Sequence, residues 1–203
     1  MFLVTTGTQT SYDRSPATGT VDWSDDGVTW TTSFAFSLYG WILSQTRILP
    51  EAAPAAGYHR FWRVFCTNNN GGSSFTELGE IEFRATSGGP DQTTNLGSNS
   101  NSTLGRIVGS QIDQFNGEGY RAFNNDGSTS YWFASGTTNQ WVGYIFTSPV
   151  TVHEALITAP GQITRGGKDM KIEHSDDGVT WTTDATFTKV WASTSDTVTV
   201  SVP

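Results

Sequence analysis

The chain has one cysteine, Cys66, and few charged side chains of any kind. Charged residues make up 15% of its 203 residues, against about a quarter in typical globular proteins, and only three are lysine. A single cysteine excludes an intrachain disulfide and favours synthesis in a reducing compartment. Because Cys66 lies within an apolar strand pattern, we expect it to be a buried small hydrophobic residue rather than a catalytic thiol.

Basic stripes and long apolar runs are also lacking. The formal net charge is −8, which disfavours nucleic acid or an anionic membrane as partner. No apolar run is long enough to span a bilayer. The apolar residues 1–4 are followed at once by Thr-Thr-Gly-Thr, too short for a signal-peptide core, so we expect any extracellular role to depend on lysis or assembly for release.

What is abundant is typical of β-structure. β-Branched and aromatic residues alternate with small polar ones and predict an all-β fold of short strands. The strands are predicted at residues 61–66, 78–83, 141–146 and 152–157, with Pro149 separating the last two. Residues 86–105 are rich in Ser, Thr, Asn and Gly and indicate a linker or a long surface loop.

An internal repeat organises the chain. Residues 24–32 and 175–183 are identical, Ser-Asp-Asp-Gly-Val-Thr-Trp-Thr-Thr. The similarity extends to the preceding strand and to a later one, so a unit of strand, turn, strand, loop and strand occurs twice. Asp-Gly predicts a hairpin turn, which also explains the carboxylate pairs Asp25, Asp26, Asp176 and Asp177 without catalysis. We expect Trp30 and Trp181 to pack inward.

The order of three segments resembles a known family. Residues 122–132, residues 140–146 and the repeated turn follow one another as in discoidin-like domains, also called coagulation factor 5/8 type C domains or family 32 carbohydrate-binding modules. Residues 58–64 and 80–83 look like the closing strands of that fold. The resemblance implies a galactose-binding-like jelly-roll β-sandwich, and related segments occur in structural proteins of tailed phages.

The order of the segments departs from that family. Residues 1–85 form an N-terminal β unit that resembles the second half of such a domain, residues 86–105 are a linker or long loop, and residues 106–203 resemble the first two thirds of another domain. Two arrangements are compatible with this order. The early closing strands complete the late module as a circularly permuted domain, or neighbouring subunits exchange strands to cover an open sheet edge.

Two candidate sites follow from the resemblance. It implies a structural Ca²⁺ site at Asn124, Asp126 and Thr129, with Glu80 as the closing-strand carboxylate, since Ca²⁺ prefers oxygen ligands. The alternative is a turn held by its own side-chain hydrogen bonds. Glycan binding is predicted at a loop-adjacent cluster in which aromatic rings lie beside amides, and the alternative places Trp132 and Trp141 in the core. The cluster consists of Tyr131, Asn139, Gln140 and Trp141.

Transition-metal and hydrolytic sites are not expected. His59, His153 and His174 are isolated in sequence and show no metal-ligand spacing. A glycosidase needs only two suitably spaced carboxylates, and the candidates are Glu77, Glu80, Glu82, Asp169 and Glu173. The resembled fold is a binding scaffold, so no enzymatic activity is predicted.

Together these observations predict a non-enzymatic structural protein of a phage particle: a head decoration, head fibre or tail-associated subunit. It would be made in the host cytoplasm, act extracellularly on the virion, and assemble as a homo-oligomer with other virion proteins. Many copies would turn weak contacts with host surface polysaccharide into useful avidity. The alternatives are a free carbohydrate-binding module or lectin, and an architectural subunit without a ligand, because a fold alone does not define function.

Overall fold

A computed structural model describes residues 16–38, 55–93, 105–112, 117–126 and 131–203, and the backbone of residues 2–5 and 46–49. These residues form β-strands joined by turns and two short 3-10 helices, Gly119–Ala122 and Ile163–Arg165, with no α-helix. None of the described helical segments has the length and apolarity needed to cross a bilayer. The prediction of an all-β fold is confirmed.

Fourteen strands are described. In chain order they are β1 (Phe2–Thr5), β2 (Thr18–Trp23), β3 (Thr31–Ser37), β4 (Thr46–Leu49), β5 (His59–Asn68), β6 (Phe75–Leu78), β7 (Ile81–Arg84), β8 (Gly105–Gly109), β9 (Trp132–Ser135), β10 (Thr138–Val150), β11 (Glu154–Thr158), β12 (Asp169–Ser175), β13 (Thr182–Thr188) and β14 (Thr197–Ser201).

The largest sheet has five antiparallel strands in the order β13–β12–β5–β10–β8. β5 lies at its centre, where Val64 is opposite Val142 of β10 and Ile172 of β12. Side chains alternate between the two faces of a strand, so Trp62, Val64 and Cys66 all point to one side, where they are buried. The opposite face of β5 carries Arg63 and Phe65.

A second antiparallel sheet, β14–β11–β7, packs over the first. Ile81 and Phe83 of β7 and Ile157 of β11 belong to the same buried cluster as the inward side chains of β5, β10 and β12. Trp62 and Phe83 meet across the layers with their ring centroids 6.4 Å apart. The two sheets therefore share one hydrophobic core, as in a β-sandwich.

The early strands complete the late module within one chain. β5 lies between β10 and β12, and β7 pairs with β11. This is the first of the two arrangements considered from the sequence. Residues 59–84 thus share their sheets with strands from residues 105–201, although they fall in the segment 1–85 of the sequence-based division.

Two strand predictions differ from the structure. The strand expected at residues 78–83 is divided at Gly79 between β6, which pairs with β9, and β7, which pairs with β11. A Cβ atom at Gly79 would be 2.5 Å from the carbonyl oxygen of Ala159, the residue after β11. Pro149 was expected to separate two strands, but β10 extends through it to Val150. The register of β10 with β5 shifts between Ile145 and Val150, and a proline is tolerated at such an irregularity.

The N-terminal strands form two further pairs, β1 with β4 and β2 with β3. Val21, Phe34 and Phe36 pack around Leu38, which is fully buried, in a cluster separate from the main core. The Asp-Gly turn between β2 and β3 has the same geometry as the turn between β12 and β13. Gly27 and Gly178 have φ angles of 71° and 74°, a region that favours glycine.

Side-chain hydrogen bonds explain the repeated turn. Asp26 Oδ1 accepts hydrogen bonds from the N–H groups of Val28 and Thr29 at 2.8 and 2.7 Å. Asp177 Oδ1 accepts the corresponding bonds from Val179 and Thr180, both at 2.7 Å. The backbone N–H of Thr29, followed by that of Val28, lowers the pKa of Asp26 to about 2. The prediction that the turn accounts for these carboxylates is confirmed for Asp26 and Asp177.

Candidate functional site

The outer face of the five-stranded sheet carries an aromatic layer built around Arg63. The Arg63 guanidinium lies 3.8 Å from the ring centroid of Trp181, 4.8 Å from that of Trp141 and 5.1 Å from that of Phe65. The two tryptophan rings are 5.7 Å apart and inclined at 54°. We call these four residues the aromatic–arginine layer.

Glu173 on β12 fixes the position of the arginine. Its Oε2 accepts hydrogen bonds from Nε and Nη2 of Arg63 at 2.8 and 2.6 Å, and its Oε1 accepts one from the Thr183 hydroxyl at 3.0 Å. A paired guanidinium that stacks on tryptophan contributes about 0.5–2 kcal/mol per contact. The rings are therefore held in place before any ligand arrives, which reduces the entropy cost of binding.

The layer has the chemistry of a platform for amphipathic rings. Trp141, Trp181 and Phe65 are each half-buried, so part of every ring still faces solvent. Lys171 Nζ lies 5.6 Å from the Phe65 centroid and adds a hydrogen-bond donor at the edge. Aromatic faces with polar groups at their rim suit a ligand that has one apolar face and several hydroxyl groups.

The expected inward packing of the repeated tryptophans is wrong. Trp30 is 62% exposed, whereas the Arg63 guanidinium stacks on Trp181. Trp181 itself lies on the outer face of the sheet and is only half-buried. The nine identical residues set the same turn in both places, but the strand next to the turn decides what covers the tryptophan.

The four residues predicted to bind glycans are only partly brought together. Asn139, Gln140 and Trp141 are consecutive on β10, and Trp141 belongs to the aromatic–arginine layer. The Gln140 amide is already engaged, with Ser110 Oγ at 2.8 Å and the Thr138 carbonyl at 2.9 Å. Tyr131 instead packs near Phe133, at 6.3 Å between centroids. Trp132 is fully buried in the core, as its alternative interpretation predicted.

Glu80 is a buried acid beside the predicted calcium loop. It is only 3% exposed, and burial raises the pKa of its carboxyl to about 8. The backbone N–H groups of Asn125 and Asp126 oppose this shift, whereas the nearby Asp91 and Glu82 carboxylates reinforce it. Neither Glu80 oxygen has a hydrogen-bond partner of normal geometry, which is costly for a buried polar group.

The Glu80 carboxylate and the adjacent loop carry oxygen atoms of the kind that Ca²⁺ prefers as ligands, and Asn124 and Asp126 are the side chains of the loop that provide them. Asn124 Oδ1 also accepts a hydrogen bond from the Asp126 N–H at 3.2 Å, as in the alternative of a self-held turn. Thr129 lies outside the described residues. Among the residues that are described, no cluster of three or more His, Cys, Asp or Glu side chains could hold a metal ion.

Two histidines that are distant in sequence meet on the neighbouring interior strands β5 and β12 of the five-stranded sheet. The rings of His59 and His174 stack with centroids 3.5 Å apart and planes at 14°. Each Nδ1 has a carboxylate partner, Asp176 at 2.8 Å for His59 and Asp184 at 2.7 Å for His174. The two histidines are isolated in sequence but meet in space, because the sheet pairs β5 with β12. Rings stacked face to face cannot converge on one metal ion.

Comparison of the chain with protein-family models, with curated proteins and with solved structures found no match.

Proposed function

We propose that this protein is a non-enzymatic, glycan-binding protein with a discoidin-like jelly-roll sandwich, and that the aromatic–arginine layer is its binding surface. The observation that supports this proposal most directly is the pair of half-buried tryptophans, Trp141 and Trp181, held on the Arg63 guanidinium. A pre-ordered aromatic surface favours recognition of an extended surface polysaccharide over reaction with it.

The matched experiment compares Trp181→Ala and Trp141→Ala with Trp30→Ala. Trp30 follows an identical turn but lies in the exposed hairpin, so its loss controls for removal of a tryptophan. Binding to an array of bacterial surface polysaccharides is expected to weaken at least about tenfold for the first two variants, a loss of about 1.4 kcal/mol, and to stay unchanged for Trp30→Ala. Equal loss in all three variants, or binding in none of the proteins including the parent, would contradict the proposal.

We further propose that the protein is displayed on a phage particle, as a head decoration, head fibre or tail-associated subunit. The acidic, lysine-poor sequence with one buried cysteine is compatible with cytoplasmic assembly, and the resemblance to segments of tailed-phage proteins points the same way. Labelling of purified particles with an antibody against this chain, viewed by electron microscopy, tests the placement. A chain found only free in the lysate would contradict it and favour a free carbohydrate-binding module.

A structural Ca²⁺ ion at Glu80 and the loop that carries Asn124 and Asp126 belongs to the same proposal. The ion would satisfy the orphaned carboxylate oxygens and hold the loop against the start of β7. Calcium would thus stabilise the fold rather than take part in recognition at the aromatic–arginine layer.

A further inference from the structure

The internal repeat extends beyond the turn to four strands and their pairing. β2 pairs with β3 as β12 pairs with β13, with a register shift at the equivalent place, between Val21 and Asp22 in one copy and between Ile172 and Glu173 in the other. β1 pairs with β4 as β11 pairs with β14, and Thr5 opposite Thr46 corresponds to Thr158 opposite Thr197. The N-terminal strands β1–β4 are therefore a second copy of the unit β11–β14.

The two copies differ in what completes them. In the late copy, β12 also pairs with β5 and β11 also pairs with β7, so each of the two sheets contains further strands. In the N-terminal copy, β1–β4 and β2–β3 are two-stranded sheets among the described residues. The part of the chain that is described contains two such units but one set of completing strands, and β11–β14 occupies it.

The exposed side chains of the N-terminal copy stand at the positions that β5 covers in the late copy. Trp23 is 53% exposed, while its counterpart His174 stacks on His59 of β5. Trp30 is also exposed, while its counterpart Trp181 lies on Arg63 of β5. Among the described residues, β2 therefore pairs only with β3 and its other edge is open, and an open edge is a template for pairing with another strand.

We propose that the N-terminal units of two copies of this chain pair along their β2 edges and also along their β1 edges. The two pairings form a second two-layer sandwich across a twofold axis. Strand β5 of another copy cannot pair with β2, because both edges of β5 are already paired within its own chain. The other open edge of the same kind belongs to the N-terminal unit of a second copy, and such an interface is self-complementary.

The sequence of β2 is compatible with antiparallel self-pairing. A pairing centred on Val21 places Gly19 opposite Trp23 of the second copy, and Thr20 opposite Asp22. No like charges then face each other, and Trp23 of the second copy lies beside Gly19 and the Phe36 ring that covers it. The interface joins the subunits through a surface distinct from the aromatic–arginine layer, so the inference stands independently of the glycan proposal.

The test is crosslinking of Thr20→Cys with a short bis-maleimide, with Lys171→Cys as the matched control. Thr20 and Lys171 are equivalent positions of β2 and β12, but both edges of β12 are paired within the chain. Cys66 is buried and does not contribute a background reaction. Opposite and diagonal positions across an antiparallel pair lie within about 8 Å, so the reagent reaches the second copy in any nearby register.

We expect Thr20→Cys to give a covalent dimer and Lys171→Cys to remain monomeric, with the unmodified parent sedimenting as a dimer. The proposal is overturned if Thr20→Cys reacts fully with a monofunctional maleimide yet yields no dimer, or if the parent sediments as a monomer. It is also overturned if both variants crosslink equally, because the subunits would then meet through another surface. Glycan binding by the parent is measured separately and is unaffected by these outcomes.

Discussion

Replacing Glu80 by Gln is expected to change the pH dependence of stability in a defined direction. Burial raises the pKa of Glu80 from 4.5 to about 8, so the native protein binds this proton more tightly than the unfolded chain does. The resulting stability is fully present below pH 4.5 and is lost as the pH rises to about 8. The loss is about 1.4 kcal/mol per pH unit within that window, on the order of 5 kcal/mol in total.

Glu80→Gln removes this proton linkage, because glutamine is neutral throughout. We expect the free energy of unfolding in urea to fall with pH between 5 and 8 more steeply for the parent than for the variant. Glu82→Gln is the matched control. Glu82 is only two residues away and pairs with Arg84 at 2.6 Å. Its charge is a smaller cause of the raised pKa of Glu80 than burial, so this variant should keep most of the steep slope. Parallel curves for the parent and Glu80→Gln would refute the assignment of a buried, protonated acid.

The same unfolding experiment, repeated with calcium, tests the proposed metal site. The ion binds the ionised carboxylate, so it should stabilise the parent most near pH 8 and little near pH 5. At a concentration of one hundred times its dissociation constant, a ligand adds about 2.7 kcal/mol to the free energy of unfolding. Glu80→Gln should lose this response and Glu82→Gln should retain it. If calcium does not stabilise the parent at any pH, the proposed metal site is wrong, whereas the pH slope can still hold.

Three further predictions concern the fold. Asp177→Ala removes two hydrogen bonds from the turn N–H groups of Val179 and Thr180 and should lower the free energy of unfolding by about 1–2 kcal/mol. Asp26→Ala changes the equivalent turn outside the main core and should lower the free energy of unfolding less. Equal losses for the two variants in urea titrations would contradict this prediction. Gly143→Ala would place a Cβ atom 2.4 Å from the Trp62 carbonyl oxygen at the centre of the sheet, so a loss of about 2 kcal/mol or more is expected in thermal melts, and an unchanged melting temperature would argue against the pairing of β10 with β5. Cys66 is fully buried, which raises its pKa to about 12, so maleimide should label it only after unfolding, and rapid labelling of the native protein would show that β5 is not central.

Local patterns were reliable where local forces decide the structure. The alternation of residues 61–66 correctly predicts β5, since one face of the strand must be buried. The repeated turn is also predictable, because Asp-Gly and its side-chain hydrogen bonds act within a few residues. The strand expected at residues 78–83 fails for the opposite reason. The close approach of β11 at Gly79 is a long-range contact that no local pattern records.

In the candidate site, too, local patterns predict some features and long-range contacts decide the others. Trp141 was identified as a binding residue, but Trp181 was assigned to the core, and Arg63 and Phe65 were not considered for the site. One signal was available: Arg63 and Phe65 alternate with buried Trp62 and Val64, and so must share the outer face of β5. Which tryptophans stack on that face depends on the neighbours of β5, and those come from β10 and from the turn after β12, far away in sequence.

The amino-acid sequence by itself determined that the chain forms antiparallel strands, that two identical turns occur, and that an acidic surface faces the solvent, because composition, alternation and turn chemistry act over short distances. Tertiary structure alone decided that Trp181 lies on Arg63 while Trp30 is exposed, that His59 stacks on His174, and that Glu80 is buried. Identical local sequences acquire different surroundings when only one copy is completed by β5 and β7, and long-range strand pairing is the physical reason.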